Sequence, residues 1–207
     1  MARSKTSKGW MHEHVTDRYV RQARQEGYRS RAAYKLLELA RQDGLIRPGM
    51  TIVDLGAAPG GWSQVAAAVA GPKGRVVAVD ILDMLAMPGV TFIQGDFRED
   101  ATLETLEQAL GRQRVDLVLS DMAPNISGIG MVDQARAAHL AELALEFALK
   151  WLKPGGNFLV KTFQGEAYGD LRGALRRHFR QVLTRKPAAS RSRSNEMYLL
   201  AKDLIAA

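Results

Sequence analysis

Two lysines and two carboxylic acids, far apart along the chain, stand where predicted strands or helices begin or end. Asp121 follows an apolar run, Lys161 lies near the end of another, Glu196 opens a third, and Lys35 lies in the first turns of a predicted helix. A lysine at the end of a buried strand is costly unless it is paired or lies at the mouth of a site. If the four side chains meet, they could accept a proton from a hydroxyl or stabilise the resulting oxyanion.

Each of these residues also has a simpler interpretation. Lys35 is compatible with an ordinary surface lysine, and Glu196 with an acid that keeps an edge strand from aggregating. Asp121 and Lys161 are harder to explain in this way, because both lie at the ends of strands, where open α/β sheets bind ligands.

A second candidate site is a loop of small residues, Val53–Trp62, with the sequence VDLGAAPGGW. Its glycines let the backbone turn tightly and approach a ligand closely. Asp80 ends the next apolar run, twenty residues after Gly60, where a carboxylate can accept hydrogen bonds from ribose hydroxyls. Asp96 follows a third apolar run and could accept a hydrogen bond from an adenine amine.

Two classes of cofactor fit such a loop. Dinucleotide enzymes prefer the pattern G-x-G-x-x-G, with the pyrophosphate at a helix N-terminus. Here Ala58 and Pro59 interrupt that pattern, and acidic surroundings suit a cationic ligand such as S-adenosylmethionine, which carries a sulfonium and an ammonium. A glycine-rich turn that binds nothing is the remaining alternative, and the two acids that end strands argue against it.

The apolar pattern predicts the elements that must position these residues. From Pro48 onwards, short apolar runs alternate with longer amphipathic segments, which is typical of an α/β fold with a mostly parallel sheet covered by helices on both faces. The last two of seven runs lie close together and predict an antiparallel edge. The predicted strands are Thr51–Leu55, Arg75–Val79, Val90–Ile93, Asp116–Ser120, Asn157–Thr162, Gln181–Thr184 and Glu196–Ala201, and the predicted helices are Met11–Gln25, Ser30–Gln42, Trp62–Ala70, Thr102–Leu110, Asp133–Trp151 and Tyr168–Phe179.

Charge is distributed unevenly along the 207 residues, whose formal net charge is +7. Residues 1–50 hold eleven Lys or Arg against five Asp or Glu, and residues 172–193 hold eight basic residues and no acid, whereas the centre is acidic. Basic flanks can bind a phosphate backbone or simply be solvated, and charge alone does not separate these possibilities. The candidates for RNA contact are Arg29, Arg31, Arg185, Lys186, Arg191 and Arg193, with Arg18, Arg21 and Arg24 on the first helix.

Composition narrows the class of protein further. The chain has no cysteine, which excludes disulfides and thiolate metal sites and fits a cytoplasmic location. Its four histidines are scattered, so we expect no metal site, and no apolar run is long enough to cross a membrane. We expect one monomeric domain over residues 1–207, with a disordered tail over 1–9, a helical extension over 10–47 and an α/β core over 48–207.

Taken together, these segments resemble the FtsJ/RrmJ family of ribosomal RNA ribose 2′-O-methyltransferases. The resemblance covers nearly the whole chain and rests on Ser30–Leu36, Val53–Trp62, Ser120–Asn125, Val160–Gly165 and Arg185–Glu196. It implies a Rossmann-like fold that binds S-adenosylmethionine. It also implies a catalytic set that maps onto Lys35, Asp121, Lys161 and Glu196, and cofactor contacts at Gly60, Trp62, Asp80, Asp96 and Asp121.

The resemblance implies a reaction as well: methylation of a uridine 2′-hydroxyl in the A-loop of large-subunit (23S) ribosomal RNA, within the assembled subunit. Two roles for Lys161 remain open, a neutral amine that accepts the hydroxyl proton or an ammonium that stabilises the developing alkoxide.

Two other classes of protein compete with this interpretation. A nicotinamide oxidoreductase is disfavoured by Ala58 and Pro59 and by the lack of a His or Tyr arrangement for hydride transfer. An RNA-binding module without catalysis would explain the basic flanks but would leave the lysines and acids at the strand ends without a role.

Overall fold

The centre of the fold is one mixed sheet. A computed structural model of the chain describes residues 17–124, 130–191 and 194–206; the predicted tail, the start of the predicted first helix and Arg193 lie outside these ranges. The strands are β1 (Thr51–Leu55), β2 (Arg75–Asp80), β3 (Val90–Gln94), β4 (Val115–Ser120), β5 (Leu152–Phe163), β6 (Phe179–Arg185) and β7 (Glu196–Leu204). In the described part of the chain they form a sheet of seven strands in the order β3-β2-β1-β4-β5-β7-β6.

The sheet has the parallel body and antiparallel edge that the sequence predicts. Strands β1 to β5 pair in parallel, and β7 runs antiparallel to both β5 and β6. Every residue of β1 is buried, because helices cover both faces of the parallel body. The strand that differs most from expectation is β5, which begins five residues early, at Leu152, and whose pairing with β4 is irregular between Val115 and Leu117.

Helices cover the two faces of the sheet in two groups. Their bounds are α1 (Arg18–Glu26), α2 (Ala33–Asp43), α3 (Gly61–Ala70), α4 (Asp100–Leu110), α5 (Gly130–Trp151) and α6 (Glu166–His178). On one face, α2 and α3 bury Leu36, Leu39 and Val65 against the sheet. On the other, α4, α5 and α6 pack around Leu106 and Leu175. Among the described residues, no helix is both long enough and apolar enough to span a membrane.

The N-terminal helices differ in how they begin. Asp17 caps α1, since its carboxylate accepts a hydrogen bond from the N–H of Tyr19 at 2.8 Å. The sequence predicts that the second helix begins at Ser30, but α2 begins at Ala33 and has no side-chain cap. The Ser30 hydroxyl is buried without a hydrogen-bond partner, packed so closely on Gly61 that a Cβ there would lie 2.3 Å from its oxygen. This packing, which lets α2 lie against α3, outweighs the local preference of serine for a helix start.

Candidate active site

The predicted catalytic residues lie at one edge of the sheet, where the parallel strands end and β7 begins. Asp121 follows β4, and its N–H donates to the carbonyl oxygen of Leu55 at 3.0 Å, which ties this turn to the end of β1. Near the end of β5, Lys161 stands opposite Tyr198 in the antiparallel register, and Glu196 opens β7 opposite Phe163. The antiparallel strand therefore brings the start of β7 to the edge at which the parallel strands finish.

Two ion pairs join the four charged side chains. Lys35 Nζ lies 2.5 Å from Glu196 Oε1, and Lys161 Nζ lies 3.1 Å from Asp121 Oδ1. Lys161 also donates to the backbone carbonyl oxygen of Asp121. The Lys161 side chain is only 7% exposed, so its charge is held by these partners rather than by water.

Tyr198 links the two ion pairs into one network. Its hydroxyl donates to Asp121 Oδ1 at 2.8 Å, accepts from Lys35 Nζ at 3.2 Å and lies 3.3 Å from Glu196 Oε1. The residue is fully buried, and its ring packs on Trp62 with the ring centroids 5.6 Å apart. Burial, together with the nearby carboxylates of Asp121 and Glu196, raises the pKa of Tyr198 well above its usual value, so the hydroxyl keeps its proton.

The sequence analysis did not single out Tyr198. An aromatic residue in an apolar strand is usually a core residue, and the ring of Tyr198 does pack in the core. One available signal was the alternation of side chains along a strand, which places Glu196 and Tyr198 on the same face of β7.

We predict that Tyr198→Phe lowers kcat about 10–100-fold while the Kd for the cofactor changes less than about threefold. The phenyl ring keeps the packing on Trp62, but Asp121 loses a hydrogen-bond donor in a buried place, which costs about 1–3 kcal/mol. Steady-state kinetics over a range of pH, with calorimetric titration of the cofactor, measure both quantities. Parental kcat in the variant would show that the hydroxyl positions nothing that matters to the reaction.

The loop before β7 holds Glu196 from the other side. The Ser190 hydroxyl donates to Glu196 Oε1 at 3.1 Å, and the N–H of Glu196 donates to Ser194 Oγ at 3.2 Å. Arg31 ties this loop to the N-terminal helices, because its guanidinium donates to both the carbonyl oxygen of Ala189 and the carboxylate of Asp17. The position of Glu196 thus depends on contacts with α1 and on the segment that precedes α2.

Four of the residues predicted to contact RNA form hydrogen bonds within the protein: Arg29, Arg31, Arg185 and Lys186. Arg29 donates to the carbonyl oxygens of Leu85 and Ala86 at 2.5 and 2.9 Å. Arg185 forms a two-bond pair with Asp43, and Lys186 donates to the carbonyl oxygen of Ser194 at 3.2 Å. Arg191 lines an open cavity beside the ion pairs, together with Arg31, Ala32, Lys35, Ser194 and Glu196.

The small-residue loop forms a cradle beside this network. Gly56 and Gly60 have positive φ angles of 79° and 105°, a conformation that side chains disfavour. A Cβ at Gly60 would lie 2.6 Å from Met87 Cε and 2.8 Å from Met84 Sδ, so the loop closes tightly against the segment after β2. The turns of the cradle are made by glycines, as the sequence pattern predicts.

The predicted cofactor acids lie around this cradle. Asp80 accepts hydrogen bonds from the N–H groups of Ala58 and Leu82, both at 2.8 Å. Asp96 pairs with Arg98, whose guanidinium holds the pKa of that carboxyl below its usual range.

Trp62, unlike these acids, packs its side chain in the core. Its side chain is buried and its indole N–H donates to the carbonyl oxygen of Ala32 at 2.8 Å, so a ligand in the cradle would meet Trp62 through the backbone.

Asp54 is a buried acid that the sequence analysis did not select. It accepts a hydrogen bond from the Ser63 hydroxyl at 2.6 Å, while its other carboxylate oxygen is buried without a partner. Burial, with smaller contributions from Asp121 and Asp80, raises the pKa of the Asp54 carboxyl to about 7. The cradle therefore rests on an acid that binds a proton more tightly in the folded protein than in the unfolded chain.

We predict that Asp54→Asn stabilises the cofactor-free protein more at pH 8 than at pH 5. Because the folded pKa is about 7 and the ordinary value is 3.8, the cost of burying the charge is absent at low pH, grows between these values and is constant above them. Asparagine cannot ionise, so the difference in unfolding free energy reaches at most about 4 kcal/mol at pH 8. Thermal unfolding of both proteins from pH 4.5 to 8 measures it, and parallel Tm curves would contradict the prediction.

Comparison with known proteins finds a matching family model, similar sequences and similar solved structures. Residues 28–204 match the family model described as FtsJ-like methyltransferase. The chain is 62% identical to ribosomal RNA large subunit methyltransferase E of Methylobacillus flagellatus, over 97% of each protein, and 60% identical to the protein of the same name from Chromobacterium violaceum, over 98% of each. A crystal structure of a candidate ribosomal RNA methyltransferase from Plasmodium falciparum is similar with a TM-score of 0.78 and 29% identity, over 87% of this chain and all of that one.

Proposed function

This chain belongs to the FtsJ-like methyltransferase family, and on that premise we propose that it methylates a ribose 2′-hydroxyl of large-subunit ribosomal RNA with S-adenosylmethionine as methyl donor. The nucleotide we propose is a uridine of the A-loop in 23S RNA. The observation that carries the proposal is the network in which Tyr198 joins the pairs Lys35–Glu196 and Lys161–Asp121 beside the glycine cradle. The relatives are named as methyltransferases of large-subunit ribosomal RNA, which supports the choice of this RNA as the substrate.

The cradle fits S-adenosylmethionine better than a dinucleotide. The positive φ angles of Gly56 and Gly60 let its backbone turn tightly, and Asp80, Asp96 and Asp121 supply carboxylates at the ends of β2, β3 and β4, which suit a cation and repel a diphosphate. Asp80 would hold the ribose hydroxyls, since each of its oxygens keeps a free lone pair beside the backbone N–H it binds. Asp96, whose two oxygens both accept from Arg98 in this structure, would give up one of these bonds to accept from the adenine amine. Trp62 would contribute its backbone N–H at the start of α3.

When bound, S-adenosylmethionine supplies an electrophilic methyl group, so the task of the protein is to orient and activate the ribose oxygen that attacks it. Orientation of two reactants can be worth about 7–11 kcal/mol. We propose that Lys161 points its ammonium at the 2′-oxygen and stabilises the negative charge that develops on this oxygen as it attacks the methyl group and the hydroxyl proton passes to water. Lys161 is paired with the carboxylate of Asp121, an arrangement that suits an ammonium group.

The other members of the network keep Lys161 in place and hold the substrate. Asp121 orients Lys161, and Tyr198 fixes Asp121. Lys35, paired with Glu196 at the wall of the open cavity, would direct the ribose of the target nucleotide, and Arg191 would meet an adjacent phosphate. Arg31 and Lys186 would act on RNA chiefly by holding the loop between β6 and β7, part of which lines this cavity. Arg29 is bound instead to the segment after β2, and Arg185 to Asp43.

A methyl-transfer assay with mass mapping tests the proposed function. The purified protein is incubated with isotopically labelled S-adenosylmethionine and large subunits from cells that lack the enzyme, and with the same RNA free of protein. We expect one labelled 2′-O-methyluridine in the A-loop, formed faster on the assembled subunit. Label on a base, or no label on either substrate, would overturn the proposal.

A further inference from the structure

Three exposed arginines at the far end of the edge strand form a positive surface that the proposed reaction does not use. Arg176 and Arg177 lie in the last turn of α6, and Arg180 is the second residue of β6. We call these three residues the distal arginine patch. All three are exposed, and within the described part of the chain none of their guanidinium groups forms a hydrogen bond or ion pair.

The patch differs from the basic residues that follow it. Residues 172–193 hold eight Lys or Arg and no acid, but Arg185 is committed to Asp43 and Lys186 to the carbonyl oxygen of Ser194. In the pairing of β6 with β7, Asp203 lies at the level of Arg180. One acid beside three arginines leaves the patch with a net positive charge. Three unpaired guanidinium groups therefore present free donors to the solvent.

The edge strand connects the patch to the candidate active site. β6 spans seven residues, about 20 Å at the usual rise of an antiparallel strand. Its last residue, Arg185, stands opposite Tyr198, whereas the patch lies at its first residues. β6 is the outermost strand of the described sheet and carries no carboxylate, so its exposed side chains, Arg180, Gln181 and Thr184, offer no repulsion to a polyanion.

We propose that the distal arginine patch binds the phosphate backbone of the substrate RNA about 20 Å from the nucleotide that reacts. This inference rests on the proposed function, since it takes RNA as the substrate. The free forks of the guanidinium groups match phosphate oxygens in geometry and charge. Such contacts position an RNA without reading its sequence, so the patch sets affinity and orientation while the residues around Lys161 set the chemistry.

A simpler role for these charges is protection of an exposed edge strand from aggregation. That role and RNA binding differ in what they predict. A protective charge changes self-association and leaves RNA affinity unaltered, whereas a phosphate contact changes both the affinity and its dependence on salt.

The test compares three variants with the parent protein. The first carries Arg176→Glu, Arg177→Glu and Arg180→Glu, and the second replaces the same three residues by lysine. The third is a control with the same change in net charge, Arg47→Glu, Lys73→Glu and Arg112→Glu, at exposed positions on other loops whose side chains form no polar contact within the described ranges. The probe is large-subunit ribosomal RNA transcribed in vitro, and the measurement is Kd from 0.05 to 0.3 M salt.

We expect the glutamate variant of the patch to bind RNA at least about tenfold more weakly at 0.1 M salt. Its plot of log K against log salt should be shallower by about 2, because three phosphate contacts are lost. The lysine variant should stay within about threefold of the parent, and the control variant should keep the parental slope. An unchanged cofactor Kd in all variants shows that each is folded.

Three outcomes would overturn the inference. Equal losses in the patch variant and the control would mean that only net charge matters. Unchanged RNA affinity with increased light scattering would assign the arginines to edge protection. Loss of binding to poly-glutamate with unchanged RNA affinity would point to an acidic protein as the partner. Failure of the proposed function would appear in a different assay, because the parent protein would then transfer no methyl group to RNA. The comparison of RNA affinities among the variants would still decide the role of the patch.

Discussion

Lys161→Ala is expected to lower kcat by at least about 10³-fold while the Kd for S-adenosylmethionine stays within about threefold. A positioned acid–base group is worth about 10²–10⁴-fold, and a fixed cation near a developing oxyanion about 10²–10³-fold. Lys161 is held by the carboxylate and by the backbone carbonyl of Asp121, and it is not among the residues proposed to contact the cofactor. Single-turnover methylation and calorimetric titration measure the two quantities.

Lys161→Arg separates the two roles that the sequence leaves open for this residue. A guanidinium stays charged at any working pH, so it can stabilise an alkoxide but cannot accept a proton. If Lys161 acts as a cation, the arginine variant should retain at least about tenfold more activity than the alanine variant. The dependence of its activity on pH should then be similar to that of the parent protein. If both variants are equally inert, the cationic role is wrong and the neutral amine remains. Near-parental turnover by the alanine variant would remove Lys161 from the mechanism altogether.

Gly56→Ala is expected to lower the unfolding free energy by about 3 kcal/mol and kcat by at least about 100-fold. The residue has a φ of 79°, where a side chain costs about 1–2 kcal/mol, and a Cβ would lie 2.8 Å from the backbone N and Cα atoms of Met122. The backbone must shift to relieve this contact, and Met122 follows directly after Asp121. The substitution therefore moves the carboxylate that orients Lys161.

Gly49→Ala is the matched control for this prediction. Gly49 has a similar φ of 83°, but a Cβ there would have no atom within 4 Å, so it adds the backbone strain without the collision. We expect Tm to fall by about 6–12 °C for Gly56→Ala and by about half as much or less for the control, with kcat affected only in the first. Equal effects of the two substitutions on both Tm and kcat would show that strain alone, and not the contact with Met122, matters at Gly56.

The sequence was sufficient to predict the sheet because its strands are nearly continuous apolar runs. Helices on both faces bury β1 and β4, and such burial leaves a pattern that needs no partner information. The early start of β5 could not be found in the same way, because Leu152–Gly156 contains a proline and two glycines, which usually indicate a turn.

The candidate site was predictable where a polar residue interrupts such a run. Lys161 is costly in a buried strand, and Asp121 directly follows one, so both residues are informative. Tyr198 was not predictable, since an aromatic ring belongs in a core and only the position of its hydroxyl makes it the link between two ion pairs.

The arginines show a different limit of sequence-based prediction. A run of basic residues looks the same whether its members face solvent or a carboxylate elsewhere in the chain. Arg185 is held by Asp43, which precedes it by 142 residues, whereas Arg177 in the same basic stretch has no such partner among the described residues. Only the tertiary structure separates the two cases.

The late position of β7 has a consequence for the biosynthesis of the protein. Glycines of the cradle are translated more than a hundred residues before Glu196 and Tyr198, which enter the network only when β7 inserts between β5 and β6. A nascent chain that has not yet made this strand would already contain the cradle but would lack half of the partners that restrain its reactive amines. Enzymatic competence would therefore arise only after β7 has been synthesised and has inserted between β5 and β6.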